Sequence, residues 1–294
     1  MKIIHTIAEF RAWRAEQDAA VTPFVPTMGA LHEGHASLVR RAREMAGSGG
    51  RVLASIFVNP TQFGPSEDFT KYPRTLEADC AMLQAAGCDA VFVPSAQEMY
   101  GTATASLNAA TQMQAATTID PGPMGNVLEG AIRPGHFRGV CTVVAKLLNV
   151  TQPSHLLLGQ KDFQQQAILR QMCADLNMPV EVVTCPTLRE ADGLAMSSRN
   201  RYLNADERAR AVALYEALTW AREAFVNGQR GAGILDAGME ERLIARNLAP
   251  QYALVCNARN LAPYRDQGNE VAQPAVLLIA AKLGTTRLID NWLL

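Results

Sequence analysis

The sequence of 294 residues has no Cys-x-x-Cys pair. Its six cysteines stand apart at positions 80, 88, 141, 173, 185 and 256. That scatter argues against a zinc site and against a disulfide framework, so the expectation is reduced thiols in a cytoplasmic protein. Charge of one sign is also missing. The formal net charge is −1 with 19% charged residues, which gives no electrostatic case for nucleic acid or an anionic membrane as the main partner. No stretch of about 18 uncharged apolar residues occurs, and Met1-Lys2-Ile3-Ile4-His5 lacks the long apolar core of a secretion signal. With 48% hydrophobic residues, the chain is long enough for a substantial core and two domains.

Three familiar signatures are absent as well. No glycine pattern matches the dinucleotide fingerprint, and no Gly-Lys-Ser/Thr completes a P-loop. A zinc-protease reading of His32-Glu33 fails because the second histidine would have to stand at Ala36. No dedicated metal site is expected.

What is present is an alternation. Buried-strand patterns fall at Val21–Val25, Val52–Val58, Ala90–Val93, His155–Leu158 and Val180–Val183, with helical patterns at roughly 35–46, 74–86, 139–149 and 162–177 between them. Such alternation predicts an α/β fold, a Rossmann-like doubly wound parallel sheet, whose ligands bind beyond the carboxyl ends of its strands. After about residue 186 the pattern changes. A capping box at Asn204-Ala205-Asp206-Glu207 opens a long helix toward Gly228, a second helix follows near 233–247, and strand-like segments follow at Tyr252–Cys256 and Ala275–Ala281, before Thr286-Arg287-Leu288-Ile289-Asp290. The domains expected are 1–186 and a smaller α+β unit, 187–294. Residues 101–126, rich in Gly, Thr, Ala and Pro, read as loop or edge structure.

Chemistry concentrates at the strand ends. Met28-Gly29-Ala30-Leu31-His32-Glu33-Gly34-His35 follows the first strand and runs into a helix. Its glycines allow close approach of a ligand, N–H groups at the helix start favour an anion, and imidazoles three residues apart share a face. His-x-x-His pairs also serve as caps, so the pair alone is ambiguous. Asn59 and Gln62 put two carboxamides after the second strand, suited to hydroxyl and carboxylate groups or to holding an Asn-Pro turn. Gly159-Gln160-Lys161-Asp162 opens a helix, where Lys161 can meet phosphate and Asp162 can accept from ribose or cap. Met196-Ser197-Ser198-Arg199 offers hydroxyls and a guanidinium to triphosphate oxygens, or forms a solvated turn.

Taken in order, the segments Pro-Thr-Met-Gly-Ala-Leu-His-Glu-Gly-His (26–35), Ser-Ile-Phe-Val-Asn-Pro-Thr-Gln-Phe (55–63), Tyr-Pro-Arg-Thr-Leu (72–76), Arg-Pro-Gly-His-Phe-Arg-Gly-Val (133–140), Lys-Asp-Phe-Gln-Gln (161–165), Asp-Gly-Leu-Ala-Met-Ser-Ser-Arg-Asn (192–200) and Ala280 to Asn291 strongly resemble the pantothenate synthetase family of His-x-Gly-His nucleotidyl transferases. The similarity covers essentially the whole chain. One departure stands at position 160, where the family usually has glutamate and this chain has Gln160.

The resemblance implies an ATP-dependent ligase of pantothenate, hence coenzyme A, biosynthesis. Pantoate and ATP give a pantoyl adenylate, which β-alanine converts to pantothenate and AMP. It further implies a homodimer, a C-terminal domain that covers the site, and Mg²⁺ carried by the ATP phosphates. By family position, His35 (as proton donor), His32 and Lys161 are catalytic. Met28 to His35, Gly159 to Asp162, Leu188 and Met196 to Arg199 surround ATP, and Gln62, Gln165 and Asn59 hold pantoate or β-alanine. Two other classes share parts of this pattern: an adenylyltransferase that stops at a dinucleotide, and a non-catalytic nucleotide-binding regulator. The first would share the His-x-Gly-His loop but has no reason to require β-alanine. The second would keep the glycines and strands but would not need both histidines, Lys161 and the Ser-Ser-Arg loop together.

Overall fold

Phe24, Leu53, Phe92 and Leu156 are completely buried on one face of a sheet, and their chain neighbours Val25, Ala54, Val91 and Leu157 are completely buried on the other. Successive strand side chains alternate between faces, so apolar residues at consecutive positions require cover on both sides. The computed structural model describes residues 1–64, 69, 72–101 and 117–294. They group into one unit of Met1–Gly159 with Ile168–Cys185, and another of Gln160–Ala167 with Pro186–Leu294.

The first unit holds strands β1 (Lys2–Ile4), β2 (Pro23–Thr27), β3 (Leu53–Ile56), β4 (Ala90–Phe92), β5 (His155–Gly159) and β6 (Glu181–Cys185). They lie in the order β1-β4-β3-β2-β5-β6 with every pairing parallel. The helices are α1 (Ile7–Ala15), α2 (Glu33–Ala46), α3 (Leu76–Ala85), α4 (Ala96–Tyr100), α5 (Glu129–Ile132), α6 (His136–Thr151) and the greater part of α7 (Phe163–Asp175), from Ile168 onward. One face is covered by Phe10 and Trp13 of α1, the apolar stripe of α6, and Ile168, Leu169 and Met172 of α7. The other is covered by Val39 and Ala42 of α2 and Cys80 and Leu83 of α3. This is the doubly wound parallel sheet that the alternation predicts.

Strand order reverses between β2 and β5, the switch point at which such sheets bind ligands. These two strands pair only at Pro23↔His155 and Phe24↔Leu156. Beyond that, β2 stays with β3 as far as Thr27↔Ile56 and β5 with β6 as far as Gly159↔Cys185. Pro26, which has no N–H to give a ladder, stands past the last β5 pair. The carboxyl ends of β2 and β5 therefore have no ladder between them.

The second unit carries α8 (Ala205–Ala211), α9 (Ala213–Val226), α10 (Ala232–Ala245), and an antiparallel sheet of β7 (Ala249–Asn257), β8 (Ala275–Leu283) and β9 (Thr286–Leu293) in that order. Leu214, Leu218 and Phe225 of α9 and Leu235, Met239 and Leu243 of α10 pack over Val255, Leu277 and Ile279 of the sheet.

Several details differ from the sequence reading. The single helix expected from Asn204 to Gly228 is interrupted at Val212; nothing in its surroundings explains the break. The first strand and helix, β1 and α1, were not expected. Within 101–126, Pro123–Asn126 forms a 3-10 turn, while 102–116 lie outside the described residues.

All six cysteines are buried and free. Cys80, Cys88 and Cys185 belong to the layer under α2 and α3, Cys141 and Cys173 to the opposite layer, and Cys256 to β7. Burial pushes the thiols of Cys88, Cys141 and Cys256 up to about 12, and raises those of Cys80, Cys173 and Cys185 as well.

Candidate active site

In the first unit, β2 leads through Met28 to Leu31 into α2. Gly29 and Ala30 both take positive φ, 81° and 50°. A Cβ at position 29 would lie 3.0 Å from Asp79 Oδ2 and 3.2 Å from Ile56 Cγ2, so a glycine is needed there for space as well as for conformation. The turn is held from α3. Asp79, buried, accepts the N–H of Ala30 at 3.0 Å and of Leu31 at 2.8 Å, and Thr75 Oγ1 donates to both of its oxygens at 3.1 Å.

His32 is the N-cap of α2. Its Nδ1 accepts from the Gly34 N–H at 3.1 Å, and its own N–H donates to His35 Nδ1 at 3.3 Å. This is a capping box built from two imidazoles, whose ring centres are 4.2 Å apart. A ring nitrogen that accepts carries no proton, so each neutral imidazole keeps its proton on Nε2 and can donate from there. Capping, one of the alternatives in the sequence, thus uses the Nδ1 edge of each ring, so it does not compete with donation from the Nε2 edge.

The expected anion cradle of backbone N–H groups is different in detail. The N–H groups of Ala30, Leu31, His32 and Gly34 all have internal partners, and those of His35 and Ala36 bond to the His32 carbonyl. What this turn can offer an anion is therefore mainly imidazole N–H and the positive end of a 14-residue helix. Glu33, in the first turn, pairs with Arg40.

Past β3, Asn59 caps the 3-10 turn Pro60–Gln62. Its Oδ1 accepts from Thr61 N at 3.3 Å, Thr61 Oγ1 at 3.0 Å and the Tyr100 hydroxyl at 2.7 Å, while Nδ2 donates to Gln62 Oε1 at 3.1 Å and Gly139 O at 3.2 Å. The Asn59 carboxamide, only 1% exposed, has a partner in every direction. It orients Gln62, whose Nε2 in turn donates to Met28 Sδ at 3.0 Å and so joins the turn to the histidine loop. The buried His136 donates from Nδ1 to Gln62 O at 2.8 Å, its Nε2 accepting from Arg133 at 3.0 Å. Gly139 of α6 lets the turn come close: a Cβ there would sit 2.4 Å from Thr61 O.

The second unit holds the remaining positions apart from Gly159, which belongs to the first. Gln160–Asp162 form a 3-10 turn after β5, which ends at Gly159. Lys161 has a mostly buried side chain with Nζ 3.8 Å from Asp162 Oδ1. Gln165 lies half-buried in the first turn of α7. Leu188, partly exposed, and Met196 are joined across a short loop by a bond from Met196 N to Leu188 O at 3.0 Å. Inside that loop, Arg189 makes a bidentate bond to buried Asp290, at 2.6 and 3.0 Å. Its guanidinium also lies 4.8 Å from the Tyr215 ring centre and 5.4 Å from that of Trp292. Burial raises the Asp290 carboxyl, and the bonds from Arg189 oppose that rise. Ser197 caps the 3-10 turn Ser198–Tyr202, its Oγ accepting from Arg199 N at 3.2 Å; the Arg199 side chain is exposed. Glu190 and Asp192 are both bonded by Arg208 at 2.7 Å, which lowers the Asp192 carboxyl and raises the Arg208 guanidinium.

The first unit thus gathers Met28 to His35 with Asn59 and Gln62, and the second gathers Gln160 to Asp162 and Gln165 along with Leu188 and Met196 to Arg199. Sequence reasoning assigned no role to Asp79, His136, Arg189, Asp290 or Asn291. Each is a buried or half-buried polar side chain; Arg189 lies in a loop and the others in helices or strands that also bury apolar residues. The only hint was polarity within a core pattern, such as Asp290-Asn291 closing the run Leu288-Ile289.

Comparison with known proteins agrees over the full length. The pantoate-beta-alanine ligase family matches residues 2–293. A pantothenate synthetase of Chloroflexus aurantiacus is 50% identical over 297 residues, covering 100% of this chain and 98% of the relative. One from Rubrobacter xylanophilus is 50% identical over 96% of this chain and 93% of its own. Among solved structures, a pantothenate synthetase of Thermus thermophilus is 42% identical with a TM-score of 0.88, covering 99% of both chains. A pantoate-beta-alanine ligase from Francisella tularensis, complexed with beta-gamma ATP and beta-alanine, is 32% identical with a TM-score of 0.75 over 100% of this chain and 97% of that one.

Proposed function

The chain belongs to the pantoate-beta-alanine ligase family, and on that premise we propose how its residues divide the work. The reaction is the ATP-dependent condensation of pantoate with β-alanine to give pantothenate, AMP and pyrophosphate. A pantoate carboxylate oxygen bonds to the α-phosphorus as the bond to pyrophosphate breaks. The β-alanine amine then attacks the acyl carbon of the pantoyl adenylate, loses a proton, and AMP departs.

The observation that carries the assignment is the imidazole pair, each Nδ1 accepting a backbone N–H and each ring proton therefore on Nε2. As negative charge grows on the phosphate oxygens, His32 and His35 donate to them, with His35 the proton donor. Lys161 adds a point charge, and Ser197, Ser198 and Arg199 complete the set of phosphate donors. Met28, Gly29, Ala30, Leu31, Glu33 and Gly34 give the nucleotide pocket its shape. Gly159, Gln160 and Asp162 line the ribose side, Leu188 and Met196 the adenine side.

Gln62 and Gln165 bind pantoate through uncharged carboxamides that do not compete for the triphosphate. Asn59 acts through Gln62 rather than on substrate, since its own amide is fully engaged. Mg²⁺ arrives with ATP, on phosphate oxygens. The same proposal takes 1–186 as the domain that binds ATP and pantoate and 187–294 as the lid, in a cytoplasmic homodimer. No helix among the described residues is long and apolar enough to cross a membrane.

The test is isotope exchange between pyrophosphate and ATP. It should require pantoate and Mg²⁺ but not β-alanine. Exchange that proceeds equally well without pantoate overturns the proposed order.

A further inference from the structure

The turn that carries Lys161 is gripped from the last strand of the second unit. Asn291 on β9, 2% exposed, donates from Nδ2 to two successive carbonyl oxygens, Gln160 O at 2.9 Å and Lys161 O at 2.8 Å. An amide nitrogen has two N–H groups, and both are used. Its Oδ1 accepts from Gln160 Nε2 at 3.3 Å, so the two side chains close a reciprocal clamp. A glutamate at position 160 would have no N–H to give and would set oxygen against oxygen.

The clamp itself is anchored. Asp290 precedes Asn291 in the strand and its side chain points to the opposite face. Asp290 Oδ1 accepts the Asn291 N–H at 2.8 Å, and the carboxylate is held by Arg189, which also reaches Asn291 O at 3.4 Å. One face of β9 therefore fixes the 188–196 loop and the other fixes the Lys161 turn.

We propose that Asn291 is a positioning residue for Lys161 in the adenylation step, with Gln160 completing the clamp. A lysine has four rotatable bonds in its stem, and its charge is useful only where the ammonium meets the phosphate. Pinning the carbonyls on either side of its N–Cα–C unit fixes the base of that stem. The surroundings, which leave the side chain only 16% exposed, then restrict the rest. The inference rests on the reading of Lys161 as a phosphate ligand.

The test is a double-mutant cycle on the full-length enzyme, read as pantoate-dependent pyrophosphate exchange, with the melting temperature measured on every sample. Asn291→Ala alone should slow exchange by about 10- to 100-fold, the scale of a loss through misplacement. In a Lys161→Ala background the same change should cost less than about 3-fold, because the group it positions is gone. Asn291→Asp, isosteric but without the donors, should behave like Asn291→Ala and serves where the alanine variant folds poorly. An equal fold-loss in both backgrounds, or full activity of the Asn291 variants in the wild-type background, overturns the proposal alone. If instead Lys161→Ala leaves exchange intact, the reading of Lys161 fails first and takes the proposal with it.

Discussion

Asp79 holds Leu31 by its main chain: the carboxylate accepts the Leu31 N–H at 2.8 Å across two elements that are far apart in sequence. The same carboxylate takes Ala30, so one side chain on α3 sets the backbone immediately before both histidines. Removing it leaves two buried N–H groups unpaired, each costing roughly 1–3 kcal/mol. Asp79→Ala should therefore lower the melting temperature by several degrees and slow adenylate formation. Asp79→Asn, with one accepting oxygen left, should fall between. Single-turnover adenylation and a thermal melt on the same preparation check this; a destabilised enzyme with an unchanged adenylation rate would show that the loop keeps its geometry unaided.

The two edges of His35 can be separated. His35→Ala removes both the Nε2 donor and the Nδ1 cap, and should reduce adenylation on the order of 10²-fold or more while costing about 1 kcal/mol or less in stability. His35→Glu keeps an acceptor at the third helical position, where glutamate completes a capping box, but brings negative charge to the phosphates. It should melt close to the parent protein and be inactive. Measurable turnover in His35→Glu would contradict the role of the ring proton.

Gly139→Ala tests the pantoate turn without touching a proposed ligand of substrate. The new Cβ would meet Thr61 O at 2.4 Å and Gln62 Cα at 2.7 Å, both backbone, so the turn must move. Overpacking of this kind costs about 1–3 kcal/mol. The expected signature is a loss in kcat/KM for pantoate with ATP binding by calorimetry unchanged. A matching loss for both substrates would mean that the displacement spreads to the histidine loop.

Asp236 should make stability depend on pH. Its Oδ1 accepts the Val255 N–H at 2.7 Å, but Oδ2 is buried with no hydrogen-bond partner among the described residues. Burial raises the carboxyl to about 6 from 3.8, with Asp266 and Glu240 adding to the rise and Arg265 opposing it. The folded protein thus binds more protons than the unfolded chain between those values. The neutral form's advantage is full below about pH 4, is lost as pH climbs to about 6, and is absent beyond. Asp236→Asn, neutral throughout, should be more stable than the parent at pH 7 and lose the slope between pH 4 and 6. Denaturant titrations at pH 4.5, 5.5 and 7 would decide it; parallel curves for the two proteins would place the charge in contact with water.

Much of this was legible in the sequence because the strands are buried on both faces and read as short apolar runs such as Leu53–Ile56 and His155–Gly159. The first helix was missed although Thr6 and Glu9 form a capping box that the sequence spells out and Ile7, Phe10 and Trp13 recur three residues apart; its nine residues fall short of the roughly 11 to 18 over which helical periodicity is read. The candidate site was legible as motifs but not as mechanics. That His32 and His35 cap one another could not be separated from catalysis by spacing alone. That Asn59 is consumed in holding its own turn follows from Tyr100 and Gly139, which lie 41 and 80 residues away. Long-range polar contacts leave no periodic trace, so Asp79 and Asn291 passed as ordinary helix and strand residues.

The buried thiols make the chain its own opening sensor. Only a thiolate attacks a disulfide reagent, and groups shifted to about 12 and sealed from solvent react only when their surroundings part. Because Cys88, Cys141 and Cys256 lie in three different packed regions, the labelling rate of each, followed by mass, times the breathing of one layer. A protein left in reagent at rising denaturant would thus disclose the sequence in which its layers yield, with no probe introduced from outside.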